Sequence, residues 1–210
     1  MPNTARRGKD NQWIRFRGVK ALKASHPDVR RLKRERDDPS LHGNKVWRSS
    51  FALIDYLHRH PIPRGARVVD VGCGWGLTGI WLAKTFGARV LSVDADAAVQ
   101  PYLELQARIN DTAVEFRRSR FEGLRRRDLE GVELLVGADI CFWDDMTAPL
   151  FKLLRRARNA GVTRSIIADP GRPPFWSLAR KAEEKLDGDV IAHRVRRPKP
   201  AEKQLLVVAR

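Results

Sequence analysis

A chain of 210 residues with 42% hydrophobic content is long and apolar enough to form one α/β domain with a short extension. Its formal net charge of +16 favours acidic partners, such as nucleic acid or an acidic protein surface. Two cysteines and five histidines without metal-binding spacing exclude a disulfide framework and indicate no metal site. The sequence contains no secretory leader pattern and no run of about 18 apolar residues, so we expect a cytoplasmic protein outside the membrane.

The positive charge is concentrated near the amino terminus, where residues 1–50 contain 14 Lys or Arg and 5 Asp or Glu. We expect residues 1–40 to form a basic, partly helical extension and residues 41–210 to form the main domain. Such an extension is either a solvated basic face or a contact surface for RNA or an acidic protein.

Within this extension, one segment has a clear secondary-structure signal. Residues 1–24 are basic, include Trp13 and Phe16, and show no clean periodicity. Ser25 at the N-cap position, followed by a proline in the first turn, predicts a helix over residues 27–36.

The main domain alternates strands and helices in a regular order, after a first helix at residues 50–60 that has one apolar face. The predicted strands lie at residues 66–71, 89–93, 114–116, 132–142 and 164–168. The predicted helices that follow them lie at residues 77–86, 97–110, 146–160 and 174–186. Asp144 and Asp145 are the expected N-cap residues of the helix at 146–160.

Two further strand-like segments, 190–196 and 204–209, follow the last helix. The seven residues between them are too few for a crossover helix, so the last two strands should be antiparallel.

A glycine-rich loop between the first strand of the domain and its helix predicts a nucleotide site, since glycines allow close backbone approach to a ligand. One reading is the dinucleotide pattern GxGxxG at residues 74–79, with Asp94 about 20 residues further on. The other reading combines an acidic residue in the first strand, Asp70, with a glycine at every second position of the loop, namely Gly72, Gly74 and Gly76. The second reading accounts for more residues, and a terminal antiparallel hairpin is not what a second NAD-binding half would form.

The second reading, together with the terminal hairpin, resembles the class I S-adenosylmethionine-dependent methyltransferases over about residues 46–210. The resemblance implies a Rossmann-like, doubly wound α/β fold. Its seven-stranded sheet is mostly parallel, has a carboxyl-terminal antiparallel hairpin, and lies in the middle of three αβα layers. It also implies an enzyme that uses S-adenosyl-L-methionine as its cofactor.

The resemblance assigns cofactor binding to Trp47, Asp70, Gly72, Gly74, Gly76, Asp94, Phe121 and Asp139. In that family the acid at Asp70 lies near the methionine amino group, and the acid at Asp94 holds both ribose hydroxyls. Hydroxyl donors suit a carboxylate acceptor. Phe121 either stacks on adenine or belongs to the core.

The segment after the fourth strand indicates the acceptor class. Asp139-x-x-Phe142 resembles the acid-x-x-Tyr/Phe motif of the seven-β-strand protein lysine methyltransferases, including the type that modifies the β-subunit of electron transfer flavoprotein. The segments 46–50 and 169–172 resemble the tryptophan segment and the DP-x-R sequence of the same group. The resemblance implies that Asp139 and Phe142 are catalytic: the carboxylate orients the amine, while Phe142 and Trp143 form an aromatic wall that favours a cation.

Several alternatives remain open at this level. The alternative role for Asp139 is a carboxylate that caps a helix or surrounds the cofactor. The alternative role for Phe142 and Trp143 is packing in the core or at the rim of the site. A strongly basic enzyme repels lysine-rich substrates, so a protein substrate should present an acidic surface. An RNA or ribosome-associated acceptor is the second enzyme hypothesis, because basic segments with aromatic residues suit RNA. The third hypothesis is a cofactor-binding, RNA-interacting protein without catalysis.

Overall fold

The computed structural model describes residues 12–35 and 45–210, and in this part of the chain a seven-stranded mixed sheet forms the centre of the molecule. The strands, in chain order, are β1 (Trp13–Phe16), β2 (Val19–Leu22), β3 (Arg67–Val71), β4 (Arg89–Asp94), β5 (Glu115–Arg118), β6 (Leu134–Ala138), β7 (Arg164–Asp169), β8 (Gly188–Val195) and β9 (Ala201–Ala209). The central sheet has the order β5-β4-β3-β6-β7-β9-β8, and β9 runs antiparallel to both of its neighbours. The predicted sheet with its antiparallel hairpin is confirmed.

Helices cover both faces of this sheet. In chain order they are α1 (Pro27–Arg34), α2 (Ser49–Arg59), α3 (Leu77–Phe86), α4 (Gln100–Arg108), α5 (Arg126–Leu129), α6 (Thr147–Asn159) and α7 (Pro173–Leu186). Apolar residues of α2, α3 and α4 pack in one cluster, and those of α5, α6 and α7 pack in a second cluster on the opposite face. The result is the predicted three-layer αβα arrangement.

The central strand β3 shows why its sequence is almost continuously apolar. Val68 belongs to the cluster formed with α2, α3 and α4, whereas Val69 and Val71 belong to the cluster on the other face. A parallel strand between two helical layers has no solvated face, so both sets of alternating side chains are buried. The loops at the carboxyl edge of the sheet are therefore where a ligand can approach the central strands.

The β1–β2 hairpin lies in the part of the chain where the sequence showed no clean periodicity. Arg17 and Gly18 form its turn, with φ values of 46° and 83°. Two-residue hairpin turns of type I′ require positive φ at both central positions. The sequence pattern did not predict this hairpin, because an Arg-Gly pair is a weaker turn signal than Asn-Gly and four-residue strands show little alternation.

Two side-chain amides attach this hairpin to α4 and to the turn that follows it. Gln106 accepts a hydrogen bond from the Leu22 N–H at 2.9 Å and donates to the Leu22 carbonyl at 3.2 Å. Asn110 makes the same pair of bonds with the backbone of Lys20, at 2.8 and 2.7 Å. The two amides thereby satisfy backbone groups of β2 that a neighbouring strand would otherwise bind.

Two expectations about helix starts were wrong. The N-cap residue of α1 is His26 rather than Ser25, because the His26 side chain accepts the Asp28 N–H at 3.3 Å. Asp144 and Asp145 do not cap α6: they lie in a short 3-10 turn, Asp144–Met146, and α6 begins at Thr147 without a side-chain cap.

Strand β6 is shorter than the apolar run at 132–142 predicted. It ends at Ala138, because Asp139 adopts φ of 58° and turns the chain out of the sheet. The helix predicted over residues 27–36 ends earlier, at Arg34, with Glu35 as its C-cap. The predicted domain boundary at residue 40 lies outside the described residues, so it stays a prediction.

Candidate active site

A cleft of about 970 Å³ opens at the carboxyl edge of the sheet. Its walls come from the ends of β3, β4, β5 and β6, on both sides of the point where the strand order reverses. Such a switch point is the usual ligand site of an open α/β sheet. Seven residues that the sequence predicted for the site line this cleft, namely Trp47, Gly72, Gly74, Asp94, Phe121, Asp139 and Phe142.

Asp94, at the end of β4, has its carboxylate turned back onto the glycine loop. One oxygen accepts the Gly74 N–H at 3.0 Å, and the other accepts the Asp96 N–H at 3.0 Å. Burial raises the pKa of Asp94 above its ordinary value, despite these two hydrogen bonds. Each carboxylate oxygen has further acceptor capacity toward the cleft, so the group can also bind two hydroxyls.

Two glycines of the loop are required by their surroundings. Gly72 has φ of 60°, and a Cβ there would lie 2.4 Å from Ile140 Cγ2. Gly76 has φ of 72°, and a Cβ there would lie 1.9 Å from Leu103 Cδ1. At Gly74, by contrast, a Cβ would meet no atom within 4 Å, so this part of the loop borders open space. The loop thus leaves room for a ligand beside its backbone.

Asp70 and Gly76 lie beside the main cleft, around a small pocket of about 20 Å³ that Trp47 and Gly72 also line. The Asp70 carboxylate is buried and accepts the Gly79 N–H, from the first turns of α3, at 3.1 Å. Burial raises the pKa of Asp70 to about 7. A cationic group bound in this pocket would therefore stabilise the ionised form of Asp70.

Asp139 is buried at the end of β6 and is bound from two directions. One carboxylate oxygen accepts the Ser49 N–H at the start of α2, at 2.8 Å. The other accepts Nη2 of Arg172, which follows β7, at 3.2 Å. The capping role that sequence reasoning left open is thus present, since Asp139 satisfies the first N–H of α2. Its role in catalysis stays a prediction.

An aromatic group borders the cleft beside Asp139. The Phe142 ring meets the Trp47 ring edge-on, with centroids 5.2 Å apart, and the Trp143 ring lies 5.8 Å from Phe142. The Arg172 guanidinium carbon lies 4.2 Å from the Phe142 centroid, and Lys45 Nζ lies 4.2 Å from the Trp47 centroid. Both rings thus already contact cations of this chain. Trp143 is 49% exposed at the mouth of the cleft.

Phe121 lies in a 3-10 turn after β5 and lines the cleft while packing partly against the core. Its carbonyl accepts Nη2 of Arg156 at 2.6 Å, which fixes this turn to α6. Both roles that the sequence left open, ligand contact and core packing, remain compatible with this position.

The charge of the cleft is opposite to that of the chain. Among the described residues that line it, six are acidic, namely Asp94, Asp96, Glu122, Asp139, Asp144 and Asp145, and one, Arg120, is basic. This excess of acidic residues in the lining contrasts with the net charge of +16 of the whole chain. The excess of acidic residues in the lining favours a cation over an anion inside the cleft.

Two other site classes have no counterpart in the described ranges. No group of three or more His, Cys, Asp or Glu side chains there is arranged to hold a metal ion. In the same residues, no helix combines the length and the apolar character that crossing a bilayer requires.

A family model described as lysine methyltransferase matches residues 27–169, which is more than half of the chain. The chain belongs to this lysine methyltransferase family. The resemblance that Asp139-x-x-Phe142 and the glycine loop predicted is thereby confirmed. Family membership also removes the dinucleotide reading of the loop.

The curated relatives are methyltransferases of two kinds, one acting on a protein lysine and one named for ribosomal RNA. The chain is 31% identical over 133 residues to the electron transfer flavoprotein beta subunit lysine methyltransferase of Xenopus laevis, covering 62% of this chain and 53% of that protein. It is 37% identical over 86 residues to the ribosomal RNA small subunit methyltransferase C of Chromohalobacter salexigens, covering 40% of this chain and 22% of that protein. The chain spans about half the length of the flavoprotein-modifying relatives that it matches.

Solved structures support the fold. The tRNA (uracil-54, C5)-methyltransferase of Pyrococcus abyssi, in complex with S-adenosyl-L-homocysteine, superposes with a TM-score of 0.60 at 16% identity, over 93% of this chain and 43% of that chain. At this identity the likeness shows the Rossmann-like methyltransferase fold alone.

Arg172 is a residue next to the site that the sequence motifs did not predict as functional. It contacts Asp139 and Phe142, which were both predicted to be catalytic. Its signal in the sequence was the DP-x-R segment, which resembled the family but had no role attached to it.

Proposed function

We propose that this protein is an S-adenosylmethionine-dependent methyltransferase that N-methylates a lysine side chain of a protein. The observation that carries the acceptor class is the charge of the cleft: six acidic residues against one basic residue, in a chain of net charge +16. A lysine ammonium is attracted into such a cleft, whereas the phosphates of an RNA acceptor are repelled from it.

The residues around the cleft fit the proposed cofactor. Asp94 has acceptor capacity for two ribose hydroxyls, and the open space at Gly74 leaves room for the nucleoside beside the loop. The buried Asp70 carboxylate suits the ammonium of the methionine part, with Gly72 and Gly76 lining the same pocket. When bound, this cofactor supplies an activated methyl group on a sulfonium.

The protein then has to align a lysine amine and exclude water, since the methyl group is already activated. We assign the alignment to Asp139, whose oxygens have acceptor capacity left after the bonds from Ser49 and Arg172. Phe142 and Trp143 form the wall along which the lysine side chain enters. An aromatic wall stabilises the incoming cation and keeps the site apolar.

The basic surface outside the cleft restricts the acceptor protein. We propose that the acceptor presents its lysine from an otherwise acidic surface, so that long-range attraction brings the two proteins together. The β subunit of electron transfer flavoprotein is the first candidate to test, because several curated relatives are named for it.

The test is methyl transfer from tritiated S-adenosylmethionine to purified β subunit of electron transfer flavoprotein and, separately, to a total cell lysate. We expect label in protein, resistant to ribonuclease and recovered as methyllysine after hydrolysis. Asp94→Ala should abolish both the label and the binding of S-adenosylmethionine in calorimetry, because it removes the carboxylate proposed for the ribose. Asp189→Ala, on an exposed position of β8, is the control and should change neither.

Two results would overturn the proposal. Label that survives protease and is lost to ribonuclease would make RNA the acceptor, as the ribosomal RNA relative suggests. Wild-type protein that binds S-adenosylmethionine and labels no macromolecule would favour a non-catalytic cofactor-binding protein.

A further inference from the structure

Arg172 is held in place by the loop between β7 and α7. Asp169 is fully buried, and one of its oxygens accepts the N–H groups of Gly171 and Arg172, at 3.0 and 2.9 Å. Its second oxygen accepts Nη1 of the Arg172 side chain at 2.6 Å. One carboxylate therefore fixes both the backbone and the side chain of Arg172, and the guanidinium is directed across the edge of the sheet.

From this position the guanidinium reaches two further groups. Nη2 donates to Asp139 at 3.2 Å, and the guanidinium carbon lies 4.2 Å from the centroid of the Phe142 ring. The side chain of Arg172 is 23% exposed and that of Asp139 is 4% exposed, so the ion pair is shielded from solvent. A planar guanidinium can hydrogen-bond in its plane and stack on an aromatic ring through its face at the same time.

These contacts matter because Asp139 and Phe142 lie on the segment between β6 and α6, where the Asp139 N–H still donates to the Ala168 carbonyl of β7 at 2.8 Å. Asp139 has left β6 with φ of 58°, and α6 begins only at Thr147. This backbone bond does not by itself fix the Asp139 carboxylate or the Phe142 ring. Arg172 links the carboxylate and the ring to each other and, through Asp169, to β7.

We propose that Arg172 is a positioning residue for methyl transfer, holding the Asp139 carboxylate and the Phe142 ring in the arrangement that receives the lysine amine. This inference rests on the proposed function. Arg172 is not among the residues that line the cleft, so it acts through Asp139 and Phe142. Both hydrogen-bonding ends of the guanidinium are used by carboxylates, which argues against a separate role in binding phosphate.

The guanidinium also has an electrostatic effect on the acceptor. A lysine amine must be neutral to accept a methyl group, and a positive charge close by favours loss of the ammonium proton to solvent. Two carboxylates, Asp139 and Asp169, accompany the one guanidinium, so the cluster still attracts a cation on approach.

The test compares Arg172→Gln, which removes the charge, with Arg172→Lys, which keeps it but loses the planar fork. Arg117→Gln is the matched control. Arg117, on β5, donates to Asp128 of α5 at 2.9 Å and does not line the cleft. Methyl transfer is measured with tritiated S-adenosylmethionine on β subunit of electron transfer flavoprotein, or on the lysate protein that the wild type labels. We expect kcat to fall about 100-fold in Arg172→Gln and less in Arg172→Lys. A displacement of the aligning groups by about 1 Å is enough to cost about 100-fold in rate.

Two readouts separate positioning from a general structural role. The affinity for S-adenosylmethionine in calorimetry should stay within about threefold of the wild type, since Arg172 does not line the cleft. The rising limb of kcat against pH should move to higher pH by about one unit in Arg172→Gln, and stay in place in Arg172→Lys, because only the first variant loses the charge. An unchanged kcat and an unshifted limb in Arg172→Gln would overturn the inference.

A third readout needs no acceptor and therefore stands apart from the proposed function. With 4-fluorophenylalanine at position 142, the fluorine resonance should shift and broaden in Arg172→Gln and keep the wild-type value in Arg117→Gln. Identical spectra in all three proteins would show that the guanidinium does not order the ring, and would overturn the inference even for an active enzyme. If the wild type transfers no methyl group while the spectra change as expected, the proposed function is wrong, but the ordering of the Phe142 ring by Arg172 is confirmed.

Discussion

Asp70 shows how a single residue combines structure and binding. Its carboxylate is buried beneath the glycine loop, where it accepts the Gly79 N–H, and burial raises its pKa to about 7. In the unfolded chain the pKa of Asp70 has its ordinary value of 3.8. The free energy of unfolding therefore falls as the pH rises from 3.8 to about 7, because over this range the unfolded chain loses the Asp70 proton and the folded protein keeps it. A bound ammonium would offset this cost. Ligand affinity and pH are therefore coupled at this residue.

We expect the affinity for S-adenosylmethionine to rise by about fivefold to tenfold between about pH 6 and about pH 7.5, with release of a proton, because the ligand ammonium binds ionised Asp70. Calorimetry in two buffers of different ionisation enthalpy measures both quantities. Binding of 5′-methylthioadenosine, which lacks the ammonium, should be independent of pH. Asp70→Asn should bind more weakly and without pH dependence. Equal affinity at both pH values in the wild type would contradict the prediction.

Asp139 marks the limit of sequence reasoning at the scale of one residue. The motif located it correctly beside the cleft, but its partners, the Ser49 N–H and Arg172, are 90 and 33 positions away along the chain. No local pattern reports such contacts, because they depend on how α2 and α7 start at the same edge of the sheet.

At the scale of elements, the β1–β2 hairpin is attached to the domain by a buried charge cluster. Asp55, on α2, accepts hydrogen bonds from Arg17 in the hairpin turn and from Arg59. It also forms a hydrogen bond of 3.0 Å with His193 of β8. The Arg17 carbonyl in turn accepts Trp81 Nε1 of α3 at 3.0 Å. One carboxylate thus connects the hairpin, a helix and an edge strand of the sheet.

Asp55→Asn should lower the free energy of unfolding by about 2 kcal/mol at neutral pH, since a buried acceptor of several charged donors is lost. Burial alone would raise the pKa of Asp55, but hydrogen bonds from Arg17 and His193 and the nearby charges lower it below its ordinary value. The stabilisation is therefore present above the unfolded value of 3.8 and is lost as the pH falls through the lower folded value.

Urea denaturation at several pH values checks this prediction. The difference between wild type and Asp55→Asn should narrow below about pH 4. Asp189→Asn, an exposed acid on the same strand as His193, is the control and should stay within about 0.5 kcal/mol of the wild type. A difference between wild type and Asp55→Asn that is constant across this pH range would exclude the ionised carboxylate as the source of the stability.

At the scale of the whole molecule, the charge is divided between an acidic cleft and a basic exterior. The excess positive charges repel one another in the folded protein, and they attract the protein to acidic surfaces. The acidic cleft, by contrast, attracts a cation at short range. This division would meet the two requirements of the proposed acceptor, namely approach of an acidic protein and entry of its lysine.

We expect the Tm to rise by a few degrees between about 20 mM and about 300 mM NaCl, because salt screens the self-repulsion of a chain with net charge +16. Scanning calorimetry measures the shift. Sucrose at equal osmolality is the control, since it leaves electrostatic repulsion in place, and NaCl should raise the Tm further than sucrose does. A Tm that falls with NaCl would mean that attractive ion pairs, such as those of Asp55 and Arg172, outweigh the net repulsion.

The sequence by itself determined the alternation of strands and helices, the antiparallel hairpin at the carboxyl end, and the glycine loop with Asp94 about 20 residues on. These features depend on local apolar periodicity, on glycine conformation and on the short link between the last strands, all of which can be read along the chain. Only the tertiary structure decided that Arg172 joins Asp139 to Phe142, that Asp55 holds the amino-terminal hairpin, and that six acids meet in one cleft. The reason is physical: each of these depends on distances between segments far apart in sequence, which packing of the two helical layers on the sheet fixes.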